Sequence, residues 1–253
     1  MLKILKTRIN QGYNTFNFPK KSPVMTDFFK GLPQIDSNNC GSCTLCIEEC
    51  PVSAIEKIDN KLSIDMGKCI FCSKCENICP SNSIVFTKEF SLSTTERENL
   101  LTNNNETFIK EREFKAEELG LFKKSFNLRV VSAGGCGACE ADINVLNTLT
   151  FDLSRFGIHY VASPRHADGM IITGPVTKNM ELAVKKVYQA IPSPKVVIAV
   201  GACAISGGLF ADSKESYNGI SDLIPVDLFI PGCPPNPYTI LDGLLRLIGK
   251  IKS

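Results

Sequence analysis

Tryptophan is absent from the 253 residues, and histidine occurs only twice, at His159 and His166. Imidazole can therefore supply little of any metal centre in this chain. No charge of one sign dominates: 28 Lys+Arg face 26 Asp+Glu, a formal net charge of +2. That balance removes the basic excess expected of a nucleic-acid binder, and there is no acidic tail. Long apolar runs are missing too. The longest, Val196 to Ile205, falls well short of the roughly 20 residues that span a bilayer. Met1–Asn10 is interrupted by Lys3, Lys6 and Arg8 and has no apolar core of a secretory signal. The expectation is a cytoplasmic protein, whose thiols stay reduced.

What is abundant is cysteine, with 12 residues. In a reducing compartment that number argues for metal ligation rather than disulfides. With 43% hydrophobic and 21% charged residues, the chain has the composition of a packed protein long enough for two domains.

Eight of the cysteines form an internal repeat. Cys40-x2-Cys43-x2-Cys46-x3-Cys50-Pro51 returns 29 residues later as Cys69-x2-Cys72-x2-Cys75-x3-Cys79-Pro80. This is the run by which bacterial ferredoxins hold two [4Fe–4S] clusters, the fourth cysteine of each run ligating the other cluster. Three thiolates from a tight loop can converge on a small object, and the fourth must come from elsewhere. Cluster one is therefore assigned to Cys40, Cys43, Cys46 and Cys79, and cluster two to Cys69, Cys72, Cys75 and Cys50. Pro51 and Pro80 turn the chain away without offering an N–H. Ile55, Ile70, Phe71 and Ile84 are expected to exclude water. Zinc is the competing reading, but a third Cys two residues on, with Cys-Pro after it, is not zinc spacing.

The remaining four are Cys136, Cys139, Cys203 and Cys233. Each of their three loops follows an expected strand, near Val130–Val131, Ile198–Val200 and Leu228–Ile230. In an open α/β sheet ligands bind beyond the carboxyl ends of the strands, so these thiols should converge despite gaps of 64 and 30 residues. Gly and Pro around each Cys permit close backbone approach. Four converging thiolates suit a third [4Fe–4S] cluster, with a four-cysteine zinc ion again the alternative. Three cubanes would use all twelve cysteines.

Between the two groups, Ser91–Glu98 reads as a helix start, Asn103–Asn105 as a break and Lys110–Glu118 as a charged surface run. Together they suggest a helical linker. Beyond Asn127, strands at Leu128–Val131, Ile158–Ala162, Met170–Thr173, Val196–Val200 and Val226–Ile230 alternate with helices at Glu140–Leu149, Lys178–Ala190 and Tyr238–Lys250. That order specifies α/β architecture with a mostly parallel sheet.

Gly134-Gly-Cys-Gly-Ala-Cys-Glu140, Arg155-Phe-Gly157, Ser163-Pro-Arg-His-Ala-Asp168, Thr173-Gly-Pro-Val-Thr177, Gly201-Ala-Cys203 and Pro231-Gly-Cys-Pro-Pro235 resemble the 20-kDa-subunit family. That family includes the cluster-bearing subunit of complex I and the small subunit of energy-converting membrane-bound [NiFe]-hydrogenases. The resemblance covers residues 125 to 250. Residues 1 to about 98, including Phe28-Phe-Lys-Gly-Leu-Pro33, resemble the ferredoxin-type subunit that stands beside it in complexes such as formate hydrogenlyase. The chain thus resembles a fusion of the two.

The implied fold is α/β: a small α+β bacterial-ferredoxin-like domain, then a flavodoxin-like three-layer α/β domain. The implied division is an N-terminal docking extension at 1–34, a two-cluster domain at 35–90, a charged linker at 91–124 and the 20-kDa-subunit-like domain at 125–253. Complex I proteins bind the last cluster with two adjacent cysteines. Here two residues separate Cys136 from Cys139, an arrangement similar to hydrogenase small subunits.

The resemblance therefore implies an electron-transfer subunit of a membrane-associated [NiFe]-hydrogenase, with a complex I-like quinone reductase subunit as the alternative. Its implied partners are a large subunit holding the nickel–iron centre, membrane subunits of the same complex, and a soluble donor or acceptor such as ferredoxin or a formate dehydrogenase subunit. Its implied place is the cytoplasmic face of the membrane. Glu140 is a candidate proton-relay group, with a helix-start carboxylate as the plainer role. Arg165 and His166 are candidates for tuning the nearby cluster, against a surface pair of Arg165 with Asp168. His159 is expected to be structural. The basic, partly apolar segment Leu2–Ile9 is expected to dock on a partner.

Overall fold

The computed structural model describes residues 2–36, 38–58, 61–102, 108 and 121–251. The first globular unit is built from short strands around two cysteine loops. β1 (Pro33–Ile35) pairs antiparallel with β4 (Ile84–Phe86). β2 (Ile55–Ile58) and β3 (Lys61–Asp65) form a hairpin, and β5 (Leu101–Thr102) extends it. α2 (Leu45–Glu48) and α3 (Lys74–Ile78) each begin inside a cysteine run. The core is small: Ile35, Ile55, Leu62, Ile64, Ile84 and Phe86, with Cys46 and Cys69 buried among them.

The second unit is a five-stranded parallel sheet. Its strands are β6 (Phe126–Ser132), β7 (Ile158–Tyr160), β8 (Gly169–Thr173), β9 (Val196–Val200) and β10 (Leu228–Ile230), in spatial order β10-β9-β8-β6-β7. In chain order this is the 2-1-3-4-5 winding of flavodoxin-like folds. β8 and β9 are buried along their whole lengths. Alternate residues serve opposite faces, as the pleat requires. Val196, Ile198 and Val200 pack with α4 (Ala138–Val145) and α7 (Pro237–Leu247). Val197 and Ala199 pack beneath α5 (Lys178–Ala190) and α6 (Ala202–Ser206). A sheet covered on both faces has near-continuous apolar strands for this reason. α7 starts with Pro237 at its first position, and the Asn236 side chain accepts the Tyr238 N–H.

Residues 91–102 depart from the expected surface helix. Ser91, Leu92, Ser93 and Thr94 are buried, and Thr94 pairs as a bridge with Phe229 on the free edge of β10. A single 3-10 turn follows at Arg97–Leu100. The segment is a strap across the second unit. Its serines and threonines satisfy buried acceptors, such as the contact of Ser91 Oγ with Asp242 Oδ2 at 2.5 Å. Asn103–Asn105 and the charged run Lys110–Glu118 lie outside the described residues.

The N-terminal extension divides in two. Phe16 and Phe18 fold back onto Tyr238, with ring centroids 5.8 Å away. Arg155 Nη2 donates to Phe16 O at 2.7 Å. α1 (Leu2–Gln11) buries none of its residues. Among the described residues, no helix is long and apolar enough to cross a membrane.

Candidate metal centres

Two cavities in the first unit are ringed by thiols. Cys40, Cys43, Cys46 and Cys79 line one, closed by Leu45, Leu62 and Ile84. Cys50, Cys69, Cys72 and Cys75 line the other, closed by Ile55, Ile64, Ile70 and Phe86. The repeat brings the last cysteine of each run to the first three of the other, because α2 and α3 lie side by side. Phe71 stands outside the second cavity. It stacks edge-on against Phe86, with centroids 6.1 Å apart.

Backbone N–H groups point at several sulfurs: Ala54 N to Cys50 Sγ at 3.3 Å, Phe71 N to Cys69 Sγ at 3.3 Å and Ser83 N to Cys79 Sγ at 3.2 Å. Lys57 Nζ lies 3.8 Å from Cys40 Sγ. Burial pushes the Cys69 and Cys75 thiols up to about 12, and their neighbouring thiolates add to it. At Cys79 burial acts upward as well, but hydrogen bonds from Ser81, Ser83 and Ile84 outweigh it and hold the thiol below its ordinary value. Those donors favour the thiolate.

The third group sits beyond the carboxyl ends of β6, β9 and β10. Cys139 on α4 is pushed up to about 12, first by burial and then by Glu140, Cys203, Cys233 and Cys136. Cys203 on α6 is pushed up to about 11 by burial, with Cys233 and Cys136 adding. The segments that carry Cys139, Cys203 and Cys233 meet here, since a Cβ on Gly201 would lie 3.5 Å from the Gly232 carbonyl oxygen as well as against Cys139. Cys136 and Cys233 are exposed, whereas Cys139 and Cys203 are half-buried. The backbone makes room for the sulfurs: a Cβ on Gly201 would lie 2.6 Å from Cys139 Sγ, and one on Gly208 would lie 3.0 Å from Cys203 Sγ. A three-sided thiol cradle with glycine at its walls suits a bulky inorganic group. Among the described residues, no group of three or more His, Cys, Asp or Glu is placed to hold one metal ion.

Glu140 has a definite position. Its Oε1 accepts from Thr173 Oγ1 at 2.6 Å. Burial alone would raise its carboxyl, but hydrogen bonds from Ser132 and Thr173 hold it below the usual carboxylate range. It ties the start of α4 to the ends of β6 and β8. Neither Ser132 nor Thr173 is marked in the sequence as a partner, because both are ordinary strand-end residues. Arg165 and His166 lie in a 3-10 turn after β7 and are exposed. Asp168 accepts the Asn127 N–H at 2.7 Å, and among the described residues Arg165 forms no ion pair with it. His159 is exposed on β7.

Thiol-ringed cavities in a ferredoxin-like unit, and a thiol cradle at the sheet ends of a flavodoxin-like unit, define an iron–sulfur protein with an electron-transfer role. Comparison with known proteins agrees. Residues 32–80 match the 4Fe-4S dicluster domain, and residues 136–247 match the family described as NADH ubiquinone oxidoreductase, 20 Kd subunit.

A probable membrane-bound hydrogenase subunit of Pyrococcus furiosus is 44% identical over 121 residues, covering 48% of this chain and 72% of that protein. An NADH-quinone oxidoreductase subunit of Citrifermentans bemidjiense is 49% identical over 119 residues, 47% of this chain and 69% of that protein. Formate hydrogenlyase subunit 7 of Escherichia coli is 41% identical over 139 residues, 55% of this chain and 54% of that protein. The chain belongs to the 20-kDa-subunit family of oxidoreductase components, joined to a dicluster domain.

Proposed function

We propose that the chain holds three [4Fe–4S] clusters and serves as the electron-transfer subunit of a membrane-associated [NiFe]-hydrogenase. Cys40, Cys43, Cys46 and Cys79 would hold one cluster, Cys50, Cys69, Cys72 and Cys75 a second, and Cys136, Cys139, Cys203 and Cys233 the third. What supports this reading is the pair of cavities each ringed by four thiols, together with the meeting of the Cys139, Gly201 and Gly232 segments at the sheet ends. Bound, each cluster takes up and releases a single electron. The chain's own work is to hold the sulfurs, keep water off them and aim N–H groups at them, which sets potential.

The exposed thiols Cys136 and Cys233 mark the face a large subunit would cover, and exposed Cys43 with Leu45 marks the side open to a soluble redox partner. Two residues between Cys136 and Cys139 favour hydrogen chemistry over quinone reduction, and the relatives include proteins named for each. The test is hydrogen-dependent dye reduction by the purified complex, with iron and sulfide analysis. About twelve of each is expected. Quinone-dependent turnover without hydrogen uptake would favour the alternative, and zinc in place of iron would defeat the relay.

Gly201 gives a local test. Its φ is +90°, and an added methyl group would press on Cys139 Sγ and approach the Gly232 carbonyl. Gly201→Ala is expected to lose the third cluster, about four irons, while the first two stay loaded. Full iron content in that variant would contradict the placement of Cys139 at the cluster.

Loading should also depend on pH. In the cluster-free chain, Cys69, Cys75, Cys139 and Cys203 stay protonated because their pKa values rise from 9.0 to about 11–12. As the folded values are the higher ones, the stability they contribute to the cluster-free fold is complete below pH 9 and lost between pH 9 and about 12. Iron binds the thiolate, so assembly releases protons and strengthens as pH rises. Reconstitution in weak buffer should acidify the solution, and tighter loading at pH 9 than at pH 7 is the result to look for.

A further inference from the structure

We infer that Met66, Gly67, Arg97 and Ser206 form a latch that fixes the Cys69–Cys75 loop against the helix carrying Cys203, and so sets the separation between the second and third thiol quartets. The inference rests on the cluster reading above, but its observations are separate.

Met66 belongs by sequence to the ferredoxin-like unit, directly after β3. It is fully buried, and its side chain lies in the core of the other unit, with Leu92, Ala204 and Ile205. The adjacent Gly67 carbonyl accepts from Ser206 Oγ at 2.9 Å. Ser206 ends α6, one turn after Cys203, and its hydroxyl also faces its own Ala202 carbonyl at 3.1 Å. Gly67 in turn lies just before Cys69. One side-chain hydrogen bond therefore joins two short stretches of chain that each end on a quartet cysteine.

A second tie closes the loop from the other side. Arg97 sits on the strap that bridges to β10, and its Nη2 reaches Asp65 Oδ2 at 2.7 Å. The other Asp65 oxygen accepts the Gly67 N–H at 2.8 Å. The guanidinium lies flat over Gly67, where a Cβ would come within 2.7 Å of its central carbon. The absence of a side chain there leaves room for the cation against the turn. The ion pair is mostly shielded, with side chains 27% and 12% exposed. Hydrogen bonds to charged groups in such places hold geometry more firmly than surface pairs.

A rigid separation matters because electron transfer and magnetic coupling between two centres both fall with distance. Two short chains of covalent structure, each pinned at the same turn, remove the freedom of the two units to rock against each other.

The test uses the full chain with its clusters loaded, comparing the unmodified protein with Ser206→Ala and with Ser206→Ala/Arg97→Met. The readouts are iron content, the potentials of each cluster, and the spin–spin coupling between the second and third clusters after reduction. Iron content should be retained. The coupling is expected to weaken and broaden, more in the double variant, and electron transfer from the second to the third cluster should slow several-fold. A merely structural role would leave the coupling untouched.

Amide hydrogen exchange at Gly67 and Lys68 supplies a measurement that does not depend on cluster loading, and faster exchange is expected in Ser206→Ala. Unchanged coupling with unchanged exchange overturns the latch. If the unmodified protein carries only two clusters, the relay reading itself fails and the latch fails with it. The iron count separates that outcome from the first.

Discussion

Replacing Cys203 by alanine should strip about four irons from a protein carrying about twelve, and should abolish hydrogen-dependent reduction in the assembled complex while the two ferredoxin-type clusters keep their signals. The reasoning is one of supply. In the proposed assignment the other eleven cysteines are all ligands already, so no spare thiol is left to take over. The position is also enclosed: Cys203 is half-buried, and Gly208 packs against its sulfur.

Cys43→Ala is the informative control. Cys43 is exposed in the first quartet, so its loss should remove a different cluster and leave the third intact. Iron and sulfide analysis beside EPR reads both variants. A Cys203→Ala protein with a full iron complement would mean that the C-terminal quartet is not a cluster site.

Asp242→Ala carries the largest effect expected on folding. Asp242 is 2% exposed on α7. One of its oxygens, Oδ2, receives the Ser91 hydroxyl at 2.5 Å and Arg246 Nε at 2.8 Å. Removing the carboxylate breaks a shielded ion pair with Arg246 and takes the acceptor from the Ser91 hydroxyl, and deleting one member of a buried pair costs up to roughly 3–5 kcal/mol. Ser91→Ala removes only the neutral donor and should cost about 1 kcal/mol. Because Ser91 belongs to the strap, Asp242→Ala should also open residues 91–102 to protease before the rest of the chain unfolds. Urea unfolding of the two variants, with limited proteolysis, checks both claims. Equal stabilities would show that the buried carboxylate does not hold the strap.

That strap marks where local reading ends. Ser91-Leu-Ser-Thr-Thr-Glu-Arg-Glu has the composition of a helix start on a solvated linker. Nothing within it signals that Thr94 will pair with the edge of β10. Edge strands offer unpaired backbone groups to whatever passes, and here the passing segment is supplied by the chain itself.

By contrast, the strand Val196–Val200 and the helix Lys178–Ala190 are legible to the residue. Apolar periodicity is a local property of the pattern. The pairing of Cys79 with the first cysteine run is legible because the repeat has its own geometric logic. Glu140 is only half legible. Its place in the first turn of a helix follows from its neighbours, whereas its bonds to Ser132 and Thr173 depend on two strands meeting beside it. Arg165 and His166 are prominent in a motif, and the fold places both exposed in a 3-10 turn after β7.

The order of residues alone determined the iron-binding chemistry and the alternation of strands and helices, because ligand type, ligand spacing and hydrophobic period are all written within a few positions of one another. Only the folded chain decided how the two halves are held together. Met66 enters a foreign core, Ser206 reaches the Gly67 carbonyl 139 positions away, and Arg97 bridges to Asp65 across 32 positions. Such contacts depend on the summed geometry of every turn between them, which no short stretch of sequence encodes.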